Sequence, residues 1–247
     1  MTLRILAFPQ DPNPYQELLH TELRRRGAVV TYLGSETRSQ SVNVTLLPLR
    51  IALGRLRGVR VVHVHWLYPF GLRWTGRWPL RALRELLLAG TLRTARLCGV
   101  RVVWTVHNVV PHAPIFTDDR RARRRLVDAC DLVIAHSASA LDDLARRTGA
   151  APRRARVIPL GPHAPRAPRV RRRASRHIAF FGKVEPYKGV EELLRAFAAL
   201  PAGCPLRLTV AGACPDPALR SRIEREAERL GAAVALRLAH LPATAVD

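Results

Sequence analysis

Short apolar runs alternate with longer amphipathic ones along most of the 247 residues. "LRILAF" (3–8) has the length and continuity of a strand buried on both faces. A helical period follows from about Tyr15 to Arg26 and stops where Gly27 can close it. "AVVTYL" (28–33), "VRVVHVHW" (59–66), "RVVWTVHN" (101–108), "DLVIAHS" (131–137) and "RVIPLG" (156–161) continue the strand series. Helical patterns over 79–97, 118–129 and 138–147 separate most of them, and 42–58 reads as a short strand and a basic helix. This alternation predicts a parallel sheet with helices on both faces.

The rhythm breaks at "GPHAPRAPRVRRRASR" (161–176), where proline and arginine dominate and no apolar period survives. It reads as a linker over 163–176, between a domain at 1–162 and a second at 177–247. In the second, strands are expected over 177–182, 206–212 and 233–238, with helices over 189–200 and 216–230. The fold class is therefore α/β, with one complete Rossmann-like domain and a second, incomplete one.

Charge adds a constraint. Lys and Arg number 41 against 19 Asp and Glu, a formal net charge of +22. Such a surface attracts polyanions: nucleic acid, anionic lipid or phosphorylated substrates. An arginine-rich composition spread over solvated helix faces would give the same total. Hydrophobic residues make up 48%, enough for a sizeable core and against wholesale disorder. Cys98, Cys130, Cys204 and Cys214 are widely spaced, with no C-x-x-C. Cys98 and Cys130 fall in apolar stretches and read as buried thiols of a reducing, cytoplasmic setting. The apolar run at the N-terminus is too short for a signal peptide. No stretch of about 20 residues lacks arginine, which excludes a transmembrane helix.

In open parallel sheets, ligands gather beyond the carboxyl ends of the strands. Four stretches fall there. "WTVHNVVPH" ends a strand in His107 and Asn108, with His112 in the next loop; each histidine is a candidate hydrogen-bonding or proton-handling group. "FFGKVEPYKG" (180–189) holds the only two lysines of the chain, Lys183 and Lys188, between Gly182 and Gly189. A small residue at a strand end lets a ligand approach the backbone, and the following helix offers free N–H groups to an anion. Two compact ammonium groups could there offset a diphosphate. "TVAGACPDP" ends a strand in Gly212, which suits either close ligand approach or a plain turn. "HVHW" places His63 and His65 on one strand face. That pair could chelate a metal, but no acidic or cysteine partner lies at a suitable spacing, so no metal site is expected. "HSASALDDL" puts Ser137 or Ser139 at a helix start with acids following, a capping arrangement.

Taken in order, "VHVHW", "TVHNVVPH", "DLVIAHS", "VIPLG", "FFGKVEPYKGVEELLRAF" and "TVAGACPDP" resemble retaining glycosyltransferases of family 4, which have the GT-B fold. The resemblance implies two Rossmann-like domains facing across a cleft, the N-terminal one for the acceptor and the C-terminal one for a nucleotide-sugar donor. It implies that Lys183 and Lys188 contact the donor diphosphate, beside Gly182 and Gly212. It further implies that His107 contacts the transferring sugar or helps orient the reaction, and that no metal or other cofactor is required; Asn108 and His112 are the acceptor or cleft candidates beside it. The loop "FPQDPNPY" lacks the paired glycines many members carry. "AHLPATAVD" resembles the segment just before the family's E-x7-E motif, which makes a truncated C-terminal domain the expectation.

Trp66, Trp74 and Trp78 are interleaved with Arg73, Arg77, Arg81 and Arg84. This mixture suits an anionic bilayer interface and the lipid-linked or glycan acceptors of related enzymes; a helix with a Trp-lined core face would look the same. The competing readings are an inactive acceptor-binding protein and a basic nucleic-acid-binding module. The second lacks any RNA-recognition, zinc-finger or basic-zipper signature.

Overall fold

A computed structural model describes residues 2–71, 78–110, 114–161, 176–201 and 203–240. The chain forms two compact units, divided near Arg166. The expected linker over 163–176 lies almost wholly outside the described residues, as do His112, Arg73, Trp74 and Arg77.

The first unit is built on six parallel strands: β1 (Arg4–Phe8), β2 (Val29–Tyr32), β3 (Val61–Val64), β4 (Arg101–Val106), β5 (Leu132–Ala135) and β6 (Ala155–Val157). Their order is β2-β1-β3-β4-β5-β6. Chain order reverses at β1, with β2 on one side and β3 on the other. The loops leaving β1 and β3 therefore diverge and open a crevice at the carboxyl edge. Among the described residues, six helices cross between strands: α1 (Pro14–Arg25), α2 (Gln40–Thr45), α3 (Leu47–Leu56), α4 (Trp78–Leu97), α5 (Asp119–Ala129) and α6 (Ala138–Thr148). β4 lies inside the sheet and is covered on both faces. Val102, Trp104 and Val106 are buried on one side and Thr105 on the other.

Residues 42–58 depart from expectation, since two helices stand where a strand and a helix were predicted. The β-branched pair Val42 and Val44 suggested a strand. Instead Val44, Leu47 and Ile51 recur at helical spacing and are almost completely buried. The Ser39 side chain accepts the Val42 N–H at the start of α2, and Pro48 sits in the first turn of α3.

On α4, Leu88, Leu92 and Ala95 turn to the core, at i, i+4 and i+7. Arg84 turns inward too. It is only 5% exposed, and its Nη1 donates to the Ile115 carbonyl at 2.7 Å, so it is not offered to a lipid surface. On α5, Arg123 is likewise buried and pairs with Asp119 at 2.9 Å. Its neighbours Arg120, Arg121 and Arg124 are exposed, as expected of a solvated face. Cys130 is buried as expected, whereas Cys98 is only half-buried against the same core. No helix among the described residues is long and apolar enough to cross a membrane.

The second, smaller unit has three parallel strands, β7 (His177–Phe181), β8 (Arg207–Ala211) and β9 (Val234–Arg237), in the order β7-β8-β9. Helices α7 (Val190–Ala198) and α8 (Pro217–Leu230) connect them. Val190, Leu194 and Phe197 of α7 and Leu219, Ile223 and Ala227 of α8 supply their buried stripes, each at i, i+4 and about i+7 or i+8. Val210 and Leu208 of β8 complete the core.

Candidate functional site

Histidines collect at the carboxyl edge of the six-stranded sheet. His65 leaves β3, His107 leaves β4 and His136 leaves β5. The parallel register sets the end of β4 level with that of β5, Val106 opposite Ala135, and the end of β3 two residues lower, Val64 opposite Trp104. His65 Nδ1 lies 3.3 Å from His107 Nε2. Trp66 stacks on the His107 ring, centroids 4.4 Å apart and planes within 18°. Tyr15, in the first turn of α1, meets the same ring edge-on at 4.8 Å. His136 stands 5.4 Å away, and its Nδ1 donates to the Ile158 carbonyl at 2.9 Å. A carbonyl can only accept, so the proton of His136 sits on Nδ1.

The loop from β1 forms another wall of this site. It carries no glycine pair, and a buried side chain holds it instead. Gln16 Nε2 donates to the Pro9 carbonyl at 2.7 Å, and Gln16 Oε1 accepts the Asp11 N–H at 2.8 Å. Asn13 caps α1 by accepting the Tyr15 N–H. Asp11 in turn accepts a hydrogen bond from the Tyr68 hydroxyl at 2.7 Å. A phenol that donates to a carboxylate loses its proton reluctantly; burial first, then Asp11, pushes the Tyr68 hydroxyl well above its usual range. Burial also raises Tyr15, against a lowering hydrogen bond with Thr105.

Burial pushes His107 down to about 4, with His136 adding to the effect and the Asp11 charge opposing it. At neutral pH His107 is therefore an uncharged imidazole, half-buried between an indole and a phenol. Such a group can hydrogen-bond a hydroxyl, and the rings around it offer apolar faces to a sugar. Asn108 follows it in an exposed position.

A deeper layer lies beneath. His20 of α1 is fully buried and within hydrogen-bonding distance of the Tyr32 hydroxyl, 3.0 Å from Nδ1. His63 Nε2 lies 2.8 Å from Thr105 Oγ1. The His63 and His65 rings are 4.1 Å apart, which confirms that both lie on one face of β3. Desolvation dominates in all three: His20 is lowered to about 4, His63 to about 3 and His65 to about 2. Sequence reasoning singled out His63, His65 and His107 but not His20, His136 or Tyr15. His136 had a signal, as a histidine directly after an apolar strand; His20 and Tyr15 join only through the packing of α1.

In the second unit, Gly182 directly follows β7 and Gly212 directly follows β8, both at φ +140°. The Gly182 N–H donates to the Ala211 carbonyl at 3.0 Å, and the Gly182 carbonyl lies directly against the Gly212 α-carbon region. Nothing stands within 4 Å of the place a β-carbon would take on Gly182. Lys183 follows and pairs with Glu185. A 3-10 turn over Pro186–Lys188 brings the chain to Gly189, at φ +72°, which starts α7 without any side-chain cap. The Lys188 ammonium lies 5.2 Å from the Tyr187 ring centroid. Hydrogen bonding from Lys183 holds the Glu185 carboxyl below its usual range, and the Lys188 charge acts in the same direction. One carboxylate thus feels both lysines. Glu191 and Glu192, in the first turn of α7, are taken up by Arg222 and Arg195.

A hollow of about 1100 Å³ in the first unit lies elsewhere. It is lined by the amino-terminal ends of β3, β4 and β5, with Arg101, Arg153 and Arg156 around it. That is the opposite edge from the histidines, and the strand polarity of a parallel sheet does not favour it as the reaction site.

The profile of Glycosyltransferase Family 4 matches residues 3–164, about two thirds of the chain. No curated protein matches. Among solved structures, Alr3699/HepE of Anabaena in complex with UDP superposes with a TM-score of 0.59, at 14% identity over 98% of this chain and 70% of that one. The same protein in complex with UDP-glucose gives 0.58 at 12% identity, over 98% and 70%. A glycosyltransferase from Rickettsia africae gives 0.58 at 13% identity, over 97% and 69%. At such identity these likenesses concern the fold: two Rossmann-like units of GT-B type, the second smaller. With a profile that spans most of the first unit, the chain belongs to glycosyltransferase family 4 and is a glycosyltransferase enzyme.

Proposed function

We propose that this enzyme moves a sugar from a nucleoside-diphosphate sugar to a hydroxyl of a glycan or lipid-linked acceptor, with retention at the anomeric carbon. Residues 177–247 hold the donor and 1–162 the acceptor, with 163–176 as the linker. The observation that carries this reading is the grouping at the ends of β7 and β8. Gly182 leaves its backbone open to close approach, Gly212 backs it, Lys183 and Lys188 flank it, and α7 begins there with uncapped N–H groups. A helix N-terminus and two ammonium groups suit the charge of a diphosphate, both when bound and as the leaving group. Glu185, drawn to both lysines, occupies the role of that anion in the unliganded protein. The UDP and UDP-glucose complexes of HepE support uridine diphosphate as the donor's leaving group.

His107 is the residue we assign to the transferring sugar. Neutral and walled by Trp66 and Tyr15, it accepts or donates a hydrogen bond to a sugar hydroxyl, with Asn108 beside it. A lipid-linked acceptor would bring the enzyme to an anionic membrane surface on the cytoplasmic side, for which the exposed arginines of α5 offer the charge. The test is direct. Calorimetry with UDP, UMP and uridine should show affinity rising steeply with the diphosphate, and proton NMR of the first product formed should show the donor's anomeric configuration. Equal affinity for UDP and uridine would remove the donor site from β7 and β8.

A further inference from the structure

We propose that His20, His63 and His65 form a binding site for a borderline divalent cation of the zinc class, set directly behind His107. The three side chains come from α1 and β3, and each is at least nine-tenths buried. Each offers one ring nitrogen, and the three nitrogens lie within 4.8 Å of one another. The proposal stands apart from the donor-site reading, because it uses no residue of the second unit.

The hydrogen bonding is divided as a metal site requires. A histidine ligand presents one nitrogen to the metal while the other is held by a second group that fixes the ring. Here Tyr32 holds His20 at Nδ1, Thr105 holds His63 at Nε2, and His107 holds His65 at Nδ1. The remaining nitrogens of His20 and His65, both Nε2, are buried and have no hydrogen-bond partner. The remaining nitrogen of His63 is Nδ1. Polar atoms left in this way are costly unless something meets them. Three neutral imidazoles are the donor set of zinc, copper, nickel and cobalt, and a poor one for calcium or magnesium, which take oxygen. Tetrahedral bonds of about 2.0–2.1 Å require nitrogens about 3.4 Å apart, so loading would draw the three rings inward by about 1 Å. A fourth position is left for a water molecule.

The consequence reaches the reaction site. A cation on His65 Nε2 places the His65 proton on Nδ1, aimed at His107 Nε2 at 3.3 Å. His107 must then accept with Nε2 and carry its own proton on Nδ1. The metal would thus select one tautomer of His107 and tie α1, which bears Tyr15, to β3, which bears Trp66. Its role is positioning.

Zinc(II) titrated into the chelator-treated protein tests this. Against a competing chelator, one saturable site per chain is expected, with a rise in Tm. His20→Gln and His65→Gln should each weaken binding more than about 100-fold, beyond the loss typical of removing a second partner, while His240→Gln, at an exposed position, should leave it unchanged. Should the buried variants fail to fold, X-ray absorption on the unmodified zinc-loaded protein decides. Three imidazole nitrogens at about 2.0 Å support the site. Sulfur scattering from the free cysteines, or no saturable binding, overturns it. Unchanged affinity in folded His20→Gln and His65→Gln overturns it equally.

Discussion

The carbonyl oxygen of Gly182 fills the space that a β-carbon on Gly212 would need. β7 and β8 thus meet at their ends backbone to backbone, at two residues that share φ +140°. The two glycines are nevertheless unequal, since a β-carbon on Gly182 would meet nothing. Gly182→Ala should therefore cost only backbone strain, about 1–3 kcal/mol. Gly212→Ala adds a collision with main chain, which no rotamer can relieve, and should exceed about 3 kcal/mol. Urea unfolding followed in the second unit measures both. Equal losses would mean that the strand ends are free to separate.

The lysines make a second prediction. Replacing Lys183 and Lys188 with alanine should weaken UDP binding between about 10-fold and about 1000-fold, from charged hydrogen bonds of roughly 1.5–3 kcal/mol each, reduced by exposure. Uridine binding should barely change. Double replacement by glutamine should lose nearly as much, because the cause is charge. If UDP binds the double variant as it binds the parent, these are ordinary surface lysines.

Glu185 supplies the opposite sign. It pairs with Lys183, and so would compete with a donor diphosphate held by that lysine. Glu185→Gln should tighten UDP binding by about two- to five-fold, the scale of a partly exposed ion pair. A loss of affinity would show instead that Glu185 orients Lys183 for the ligand.

These two sites were not equally legible in the sequence. The diphosphate candidate is local: Gly182, Lys183, Lys188 and Gly189 fall within eight residues, so strand, turn and helix start could be read together. The histidine site is not local. Its members come from the ends of β3, β4 and β5 and from two turns of α1, and the pattern of apolar runs says which strands exist but not which end beside which. Strand order made the difference, by placing β3 between β1 and β4. His63 and His65 seemed to lack a third ligand because the search followed chain spacing, whereas His20 arrives through helix packing. The misread strand within 42–58 has a related cause. Val42 and Val44 fit either period, and only Leu47 and Ile51 turning to the same core settle it as helix. Arg84 looked like surface charge by type, and burial against the Ile115 carbonyl gives it an inward role.

Acid should act first on the histidine layer. His20 and His107 lie near 4, His63 near 3 and His65 near 2, all below the ordinary value of 6.5. The unfolded chain therefore takes up protons below about pH 6.5 that the folded chain refuses until about pH 4. Stability is full above pH 6.5 and falls as pH drops through that window. Arg24 beside His20 deepens the effect and Asp11 near His107 moderates it. For each of the buried His20, His63 and His65 the loss by pH 5.5 is about 1 kcal/mol. Tm should decline steadily from pH 7 to 5, and a flat profile would mean that these rings are protonated or hydrated in the native state.

His107→Ala separates a reaction role from a packing role. The ring is half-buried and supports Trp66 on one side and Tyr15 on another, so some stability must be lost with it. A half-buried ring in a site already polar should cost about 1–2 kcal/mol, leaving the fold intact. If His107 touches the transferring sugar, turnover per folded molecule should fall by about 100-fold or more, the usual contribution of one positioned hydrogen-bonding or proton-transfer group. UDP affinity should stay unchanged, because the diphosphate contacts proposed above are on Lys183, Lys188 and α7. His107→Gln keeps a donor and an acceptor, and should recover part of the rate if hydrogen bonding is what the imidazole supplies. Normal turnover in folded His107→Ala, together with a large drop in Tm, would make this histidine a structural wedge between Trp66 and Tyr15 and move the search for the reacting group to His136 or Asn108.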